Sequence, residues 1–99
     1  MRHFLDLLDL SPTEITQLLH DTARGKKALQ RGKSPPALQG RVLGLVFEKP
    51  SLRTRVSFQA AMAQLGGTGL FLPGNDVGLG SRETLPDFAR VMSQYVDAV

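Results

Sequence analysis

The sequence predicts an α/β fold in three layers, with helices on both faces of a parallel sheet built from consecutive βαβ units. Three observations carry that expectation. Two short, nearly continuous apolar runs, residues 41–47 and 69–72, read as strands buried on both faces. Between and after them lie stretches with helical spacing and recognisable start signals. The chain then closes on Val96-Asp97-Ala98-Val99, the opening of a third strand. At 99 residues there is room for one small domain with a modest core.

Each element follows from local chemistry. Ser11-Pro12-Thr13-Glu14 puts serine at an N-cap, proline at the first helical position and glutamate where it closes a capping box. Ile15, Leu18, Leu19, Thr22, Ala23 and Lys26 then share one stripe of a helix that runs to about Gly32. Ser34-Pro35-Pro36 cannot continue it and is a connector. The first strand, opened by Gly40, ends abruptly at Glu48-Lys49-Pro50. Ser51 is a second N-cap, opening a helix through Gln64 or Leu65 whose buried face is Phe58, Ala61, Met62 and Leu65. Gly66-Gly67 stops it, and Gly69-Leu70-Phe71-Leu72 is the second strand. From Pro73 to Glu83 the chain reads as a glycine-rich loop, and long loops in compact domains are often functional. A third helix starts at Thr84, with Asp87 completing another capping box and Leu85, Phe88, Ala89, Met92 and Tyr95 as its apolar positions.

Composition excludes several function classes. With no cysteine there is no disulfide framework, no thiolate zinc site and no thiol nucleophile. Two histidines, His3 and His20, are too few for a histidine-rich metal site. The net charge of +3 raises the question of nucleic acid. The first 49 residues carry eight basic and five acidic groups, whereas the remaining 50 carry four of each. The excess is concentrated at Arg24, Lys26, Lys27, Arg31 and Lys33, near a helix C-terminus whose dipole such charges complement. Interleaved aromatics are lacking, so no nucleic-acid partner is expected. Asp6 and Asp9 interrupt any leader-like apolar segment, and no run is long enough to cross a membrane. The expected compartment is the cytoplasm, with no membrane partner.

The informative segment is Phe47 to Arg55. A buried strand delivers the chain through Pro50 to a helix N-terminus, which presents unpaired N–H groups and the positive end of the dipole. The hydroxyls of Ser51 and Thr54 and the guanidinium groups of Arg53 and Arg55 converge there, with no acid after Glu48. Phosphate suits the size and the bidentate arginine geometry of such a trap. The place also suits it, because open α/β sheets bind ligands at the carboxyl ends of their strands. Spacing alone leaves a second reading open, a capped and solvated helix start with two surface arginines. Neither a P-loop nor a dinucleotide fingerprint is present, which disfavours a nucleotide.

The run Ser51-Leu52-Arg53-Thr54-Arg55 resembles the Ser-Thr-Arg-Thr-Arg carbamoyl-phosphate signature of the aspartate/ornithine carbamoyltransferase family. The likeness extends over essentially the whole chain. It includes Arg2-His3-Phe4-Leu5, Asp9-Leu10-Ser11, Val56-Ser57-Phe58, Leu65-Gly66-Gly67, Asp76 to Glu83, Ala89 to Ser93 and Val96-Asp97-Ala98. Phe47-Glu48-Lys49-Pro50-Ser51 and Leu79-Gly80-Ser81-Arg82-Glu83 look like the ornithine branch rather than the aspartate one.

The resemblance implies that residues 1–99 are a carbamoyl-phosphate-binding domain, truncated at its C-terminal end and without the ornithine-binding domain. It implies that Ser51, Arg53, Thr54 and the amide of Leu52 hold the phosphate. Thr54 would also polarise the carbamoyl carbonyl, and Arg53 would offset charge on the departing phosphate; these two are the catalytic candidates. Arg55 would brace the turn through an ion pair. The glycine-rich loop, with Gly78 and Arg82, would reach a neighbouring subunit of a homotrimer; Gly78 stands where many bacterial members carry glutamine. Gln59 stands where glutamate is usual and Phe88 where threonine is usual, which bears on packing or surface pairing. A His-Pro-x-Gln motif, a further phosphate-binding arginine and the ornithine site would lie beyond Val99, so the chain alone is expected to be inactive. The parent reaction would join carbamoyl phosphate and L-ornithine in arginine metabolism. The alternatives are another acceptor amine, including aspartate, or a non-catalytic anion-binding or assembly module.

Overall fold

The computed structural model describes residues 2–78, 81 and 84–99. The chain divides into two compact units, residues 1–34 and 35–99.

In the first unit a single 3-10 turn at Leu7–Asp9 precedes helix α1, Pro12–Gln30. The turn has a reciprocal capping box of its own, between Asp6 and Asp9. The expected box at Ser11 is present: Ser11 Oγ accepts the Glu14 N–H at 3.1 Å, and Glu14 Oε1 accepts the Ser11 N–H at 3.0 Å. Arg2 adds an ion pair to the same glutamate at 2.8 Å. That guanidinium, together with the Ser11 N–H, lowers the Glu14 carboxyl from its ordinary 4.5 to about 2. The helix stops two residues before the expected end, with Arg31 as its cap and the Gly32 N–H returning to the Leu29 carbonyl at 2.9 Å. No residue of α1 is buried, and Leu18 and Leu19 remain more than half exposed.

The second unit is the α/β part. Strands β1, Val42–Phe47, and β2, Thr68–Pro73, pair in parallel from Val42 opposite Thr68 to Phe47 opposite Pro73. Helix α2, Leu52–Gln64, connects them. Its end is sealed by the Gly66 N–H to the Ala63 carbonyl and the Gly67 N–H to the Met62 carbonyl, the double bond of a Schellman motif. A one-turn helix α3, Gly74–Val77, follows, and then α4, Leu85–Tyr95.

The third strand begins where the sequence places it. The Asp97 N–H donates to the Val42 carbonyl at 2.9 Å, the Gly44 N–H donates to the Ala98 carbonyl at 2.8 Å, and Leu43 and Ala98 form a parallel bridge. This segment lies on the side of β1 away from β2, so β1 is the middle strand and the direction of winding reverses across it. An Asp97–Arg41 ion pair at 2.9 Å and an Asp97 carboxylate bond to the Val42 N–H at 2.8 Å fasten the junction. The Val42 N–H and, after it, the Arg41 guanidinium hold the Asp97 carboxyl below its usual range.

Adjacent residues of a strand face opposite sides, which locates the helices. A Cβ on Gly69 would stand 3.3 Å from Gln59 of α2; one on Gly44, which points to the other face, would stand 2.8 Å from the Met92 methyl of α4. A side chain at Gly44 would have to push the flexible end of Met92 aside, which shows how closely α4 packs on this face. The sheet has a helix on each side, the expected three layers.

Burial falls short of the expectation. Leu45 and Met62 are the large side chains taken out of water among the described residues, whereas Phe58 is 48% and Leu70 43% exposed. One helix per face covers only part of a sheet. The uncovered part is a groove of about 580 Å³ bordered by Val42, Leu43, Phe58, Met62, Leu65 and Ala98. Two smaller expectations also change. Thr84 caps α4 by accepting the Asp87 N–H at 3.3 Å, but no reciprocal bond is present, because the Asp87 carboxylate accepts from Arg90 at 2.9 Å instead. The loop from Pro73 to Glu83 contains the single helical turn α3.

Candidate functional site

The carboxyl end of β1 is where an open α/β sheet offers a ligand crevice, because winding reverses there and loops from both crossovers leave the sheet. The chain leaves Phe47, turns through Glu48-Lys49-Pro50 and enters α2 with Ser51 at the N-cap position. Ser51 does not act as the expected cap: with φ −150° and ψ 80° its side chain makes no cap hydrogen bond. No acid occupies the first turn either. The Arg55 N–H donates to the Ser51 carbonyl at 3.0 Å as the first bond of the helix. The earlier N–H groups, of Leu52, Arg53 and Thr54, precede that bond and have no capping side chain.

Against this turn lies a cavity of about 290 Å³, at the lower end of the roughly 300–1,000 Å³ of small-molecule pockets. Its walls are Phe47 through Leu52, Arg55, Phe71, Pro73 and Gly74. The floor is aromatic. Phe47 and Phe71, from neighbouring strands, meet edge to face with ring centroids 5.8 Å apart and planes at 64°.

Of the sequence-predicted residues, Ser51, Leu52 and Arg55 reach the cavity wall. Arg53 and Thr54 sit on the same turn, exposed, outside that wall and without an ion pair among the described residues. Arg55 is held differently from the expectation. No acid pairs with it among the described residues; its guanidinium carbon lies 3.6 Å from the Phe71 ring centroid, and Nε donates to Gln59 Oε1 at 3.3 Å. The residue one turn on is an amide, so bracing comes from a cation–π contact and a neutral hydrogen bond.

Gly78 caps α3 in the left-handed region, with φ 66° and ψ 32°, and it is buried. A glutamine would meet backbone strain there. Arg82 and its neighbours Leu79, Gly80 and Glu83 lie outside the described residues. Sequence reasoning missed the pairing of Phe71 with Arg55. The spacing of Arg55 and Gln59 was visible, but the phenylalanine needs the register of β1 against β2. Among the described residues no group of histidines and carboxylates could hold a metal ion, and no helix is long and apolar enough to cross a membrane.

Similarity to known proteins fits this geometry. The family described as "Aspartate/ornithine carbamoyltransferase, carbamoyl-P binding domain" matches residues 2–99. The ornithine carbamoyltransferase of Wolinella succinogenes is 50% identical over all 99 residues, which cover 32% of that protein. That of Halorhodospira halophila is 56% identical, with 33% covered. The solved ornithine carbamoyltransferase of Pyrococcus furiosus superposes with a TM-score of 0.92 at 44% identity, over 98% of this chain and 32% of that one. The chain thus spans about a third of the length of the relatives it matches.

Proposed function

We propose that this chain, which belongs to the aspartate/ornithine carbamoyltransferase family, is the carbamoyl-phosphate-binding portion of an enzyme that carbamoylates L-ornithine. The observation that carries the reading is the first turn of α2. It is uncapped and acid-free, and it stands at the carboxyl end of the middle strand with two hydroxyls and two guanidinium groups. Such a turn offers an anion its N–H groups, its dipole and its arginines at once.

In the reaction, the side-chain amine of ornithine attacks the carbamoyl carbon. A C–N bond forms, the bond from that carbon to the bridging oxygen breaks, phosphate departs with the electron pair, and the amine loses a proton. Ser51, Arg53, Thr54 and the Leu52 N–H hold the phosphate. Replacing a signature threonine by Leu52 removes a hydroxyl but leaves that N–H in place. Thr54 donates to the carbamoyl oxygen, where negative charge grows on attack. Arg53 offsets the charge that collects on the leaving phosphate, an electrostatic role without proton transfer. The domain supplies binding, orientation and charge stabilisation, for which no cofactor is needed.

The parent enzyme is a homotrimer working in the cytoplasm, in arginine biosynthesis or the urea cycle. The loop carrying Gly78 and Arg82 serves the neighbouring subunit. The acceptor site belongs to a second domain, so the 99-residue chain binds carbamoyl phosphate without turning it over.

Carbamoyl phosphate titrated into the isotope-labelled chain should move the amide resonances of Leu52, Arg53 and Thr54 first. Shifts confined to the basic end of α1 would reject the reading. Citrulline formation by the chain alone, well above that of an Arg53→Ala variant, would reject the proposed inactivity.

A further inference from the structure

Arg55 enters the cavity from the first turn of α2, and among the described residues no acid pairs with its charge. Its two neighbours hold it without neutralising it. The Phe71 face, 3.6 Å from the guanidinium carbon, attracts a cation through the ring quadrupole but carries no net charge. Gln59 Oε1, 3.3 Å from Nε, is an amide oxygen. Glu48 shares the cavity wall but makes no ion pair with Arg55. Arg55 as a residue is half-buried, so water screens its charge less than it screens that of a fully exposed arginine.

An arginine fixed in this way is a standing positive charge at the edge of a small cavity. Whether the cavity feels that charge depends on residue 59. Glutamine and glutamate have nearly the same shape, and both accept from Nε. A carboxylate there would form an ion pair one helical turn away and cancel the charge.

We propose that Arg55 is an affinity-determining residue for the anion bound at the start of α2, and that the neutral amide of Gln59 keeps its charge available. Gln59 is a positioning residue: it orients Arg55 and need not touch the ligand. This rests on the proposed function, because it concerns the same site.

The test is calorimetric titration of the 99-residue chain with inorganic phosphate and with carbamoyl phosphate at low ionic strength. The proteins compared are the wild type, Gln59→Glu, Gln59→Lys and Arg53→Ala. A unit charge several ångströms from a dianion across partly solvated protein changes affinity by about fivefold. Gln59→Glu should weaken both anions by about that factor, and high salt should shrink the difference, whereas Gln59→Lys should bind at least as tightly as wild type. A merely structural role would weaken both variants alike, which would overturn the proposal. Wild-type affinity in Gln59→Glu, with Arg53→Ala impaired, would also overturn it while leaving the proposed function standing. A wild-type chain that binds neither anion would remove the proposed function and this inference together.

Discussion

At the start of α1, Ser11 accepts the Glu14 N–H at 3.1 Å and Glu14 accepts the Ser11 N–H at 3.0 Å; at the start of α2, Ser51 makes no such bond and no acid stands in the first turn. The two helices open on the same residue type and put it to opposite uses. α1 spends its terminal donors inside the chain, and Arg2 reinforces the arrangement from the N-terminal side. α2 leaves its donors open beside a cavity. A capped end is stabilising and closed to ligands, whereas an open end forgoes about 1 kcal/mol of capping and keeps N–H groups for an anion. The difference lies in the backbone at the cap, ψ 159° at Ser11 and 80° at Ser51, and in what stands at the third helical position, glutamate in one case and threonine in the other.

The largest effect should come from erasing that difference. Thr54→Glu would place an acid at the third position of α2, where it can close a box on Ser51 and fill the anion site with its own charge. Carbamoyl phosphate binding should fall by more than about a hundredfold, while thermal stability rises by up to about 1 kcal/mol. Calorimetric titration and a melting curve measure the two halves, and retained binding would break the comparison. Next in size is Arg53→Ala. It should cost about 10–100-fold in affinity, the worth of one hydrogen bond to a charged group, with an unchanged melting temperature.

The paired serine variants sharpen the contrast. Ser11→Ala should lower the hydrogen-exchange protection of α1 by about 1 kcal/mol and leave anion binding alone. Ser51→Ala should do the reverse, weakening binding by about fivefold with protection of α2 unchanged. The smallest effect is on acidification. The Glu14 carboxyl lies at about 2 when folded and near 4.5 when free. Its contribution is therefore complete above about 4.5 and is lost as the pH falls toward about 2. Amide resonances around Ser11 should move across that window. Those of Leu52 to Thr54, with no acid in their turn, should stay still.

The order of elements and the first capping box were legible because they depend on local rules: apolar period, proline at N1, glutamate three residues after serine. The third strand was legible from four residues, and its pairing with Leu43 confirms it. What escaped depends on long-range placement. The expected partner of Arg55 was an acid, but the ring that holds it comes from β2 and is set by strand register. The role of Ser51 escaped for a related reason: its residue type permits a cap, but the backbone at ψ 80° does not make one. Phe58 and Leu70 follow a core pattern and are yet nearly half exposed, because pattern reports which face is apolar and not how much covers it. The site residues on one turn were readable as a set; which of them line the cavity was not.

The arginine over the phenylalanine has one more consequence, and it is magnetic. A guanidinium carbon 3.6 Å above the Phe71 centroid lies inside the shielding cone of that ring. The side-chain protons nearest it resonate upfield of their ordinary positions for as long as the contact holds. Circulating π electrons thus give the site an intrinsic gauge of its own geometry, readable without a label. A displacement of the Arg55 side chain by a fraction of an ångström would register there before any change in helix content.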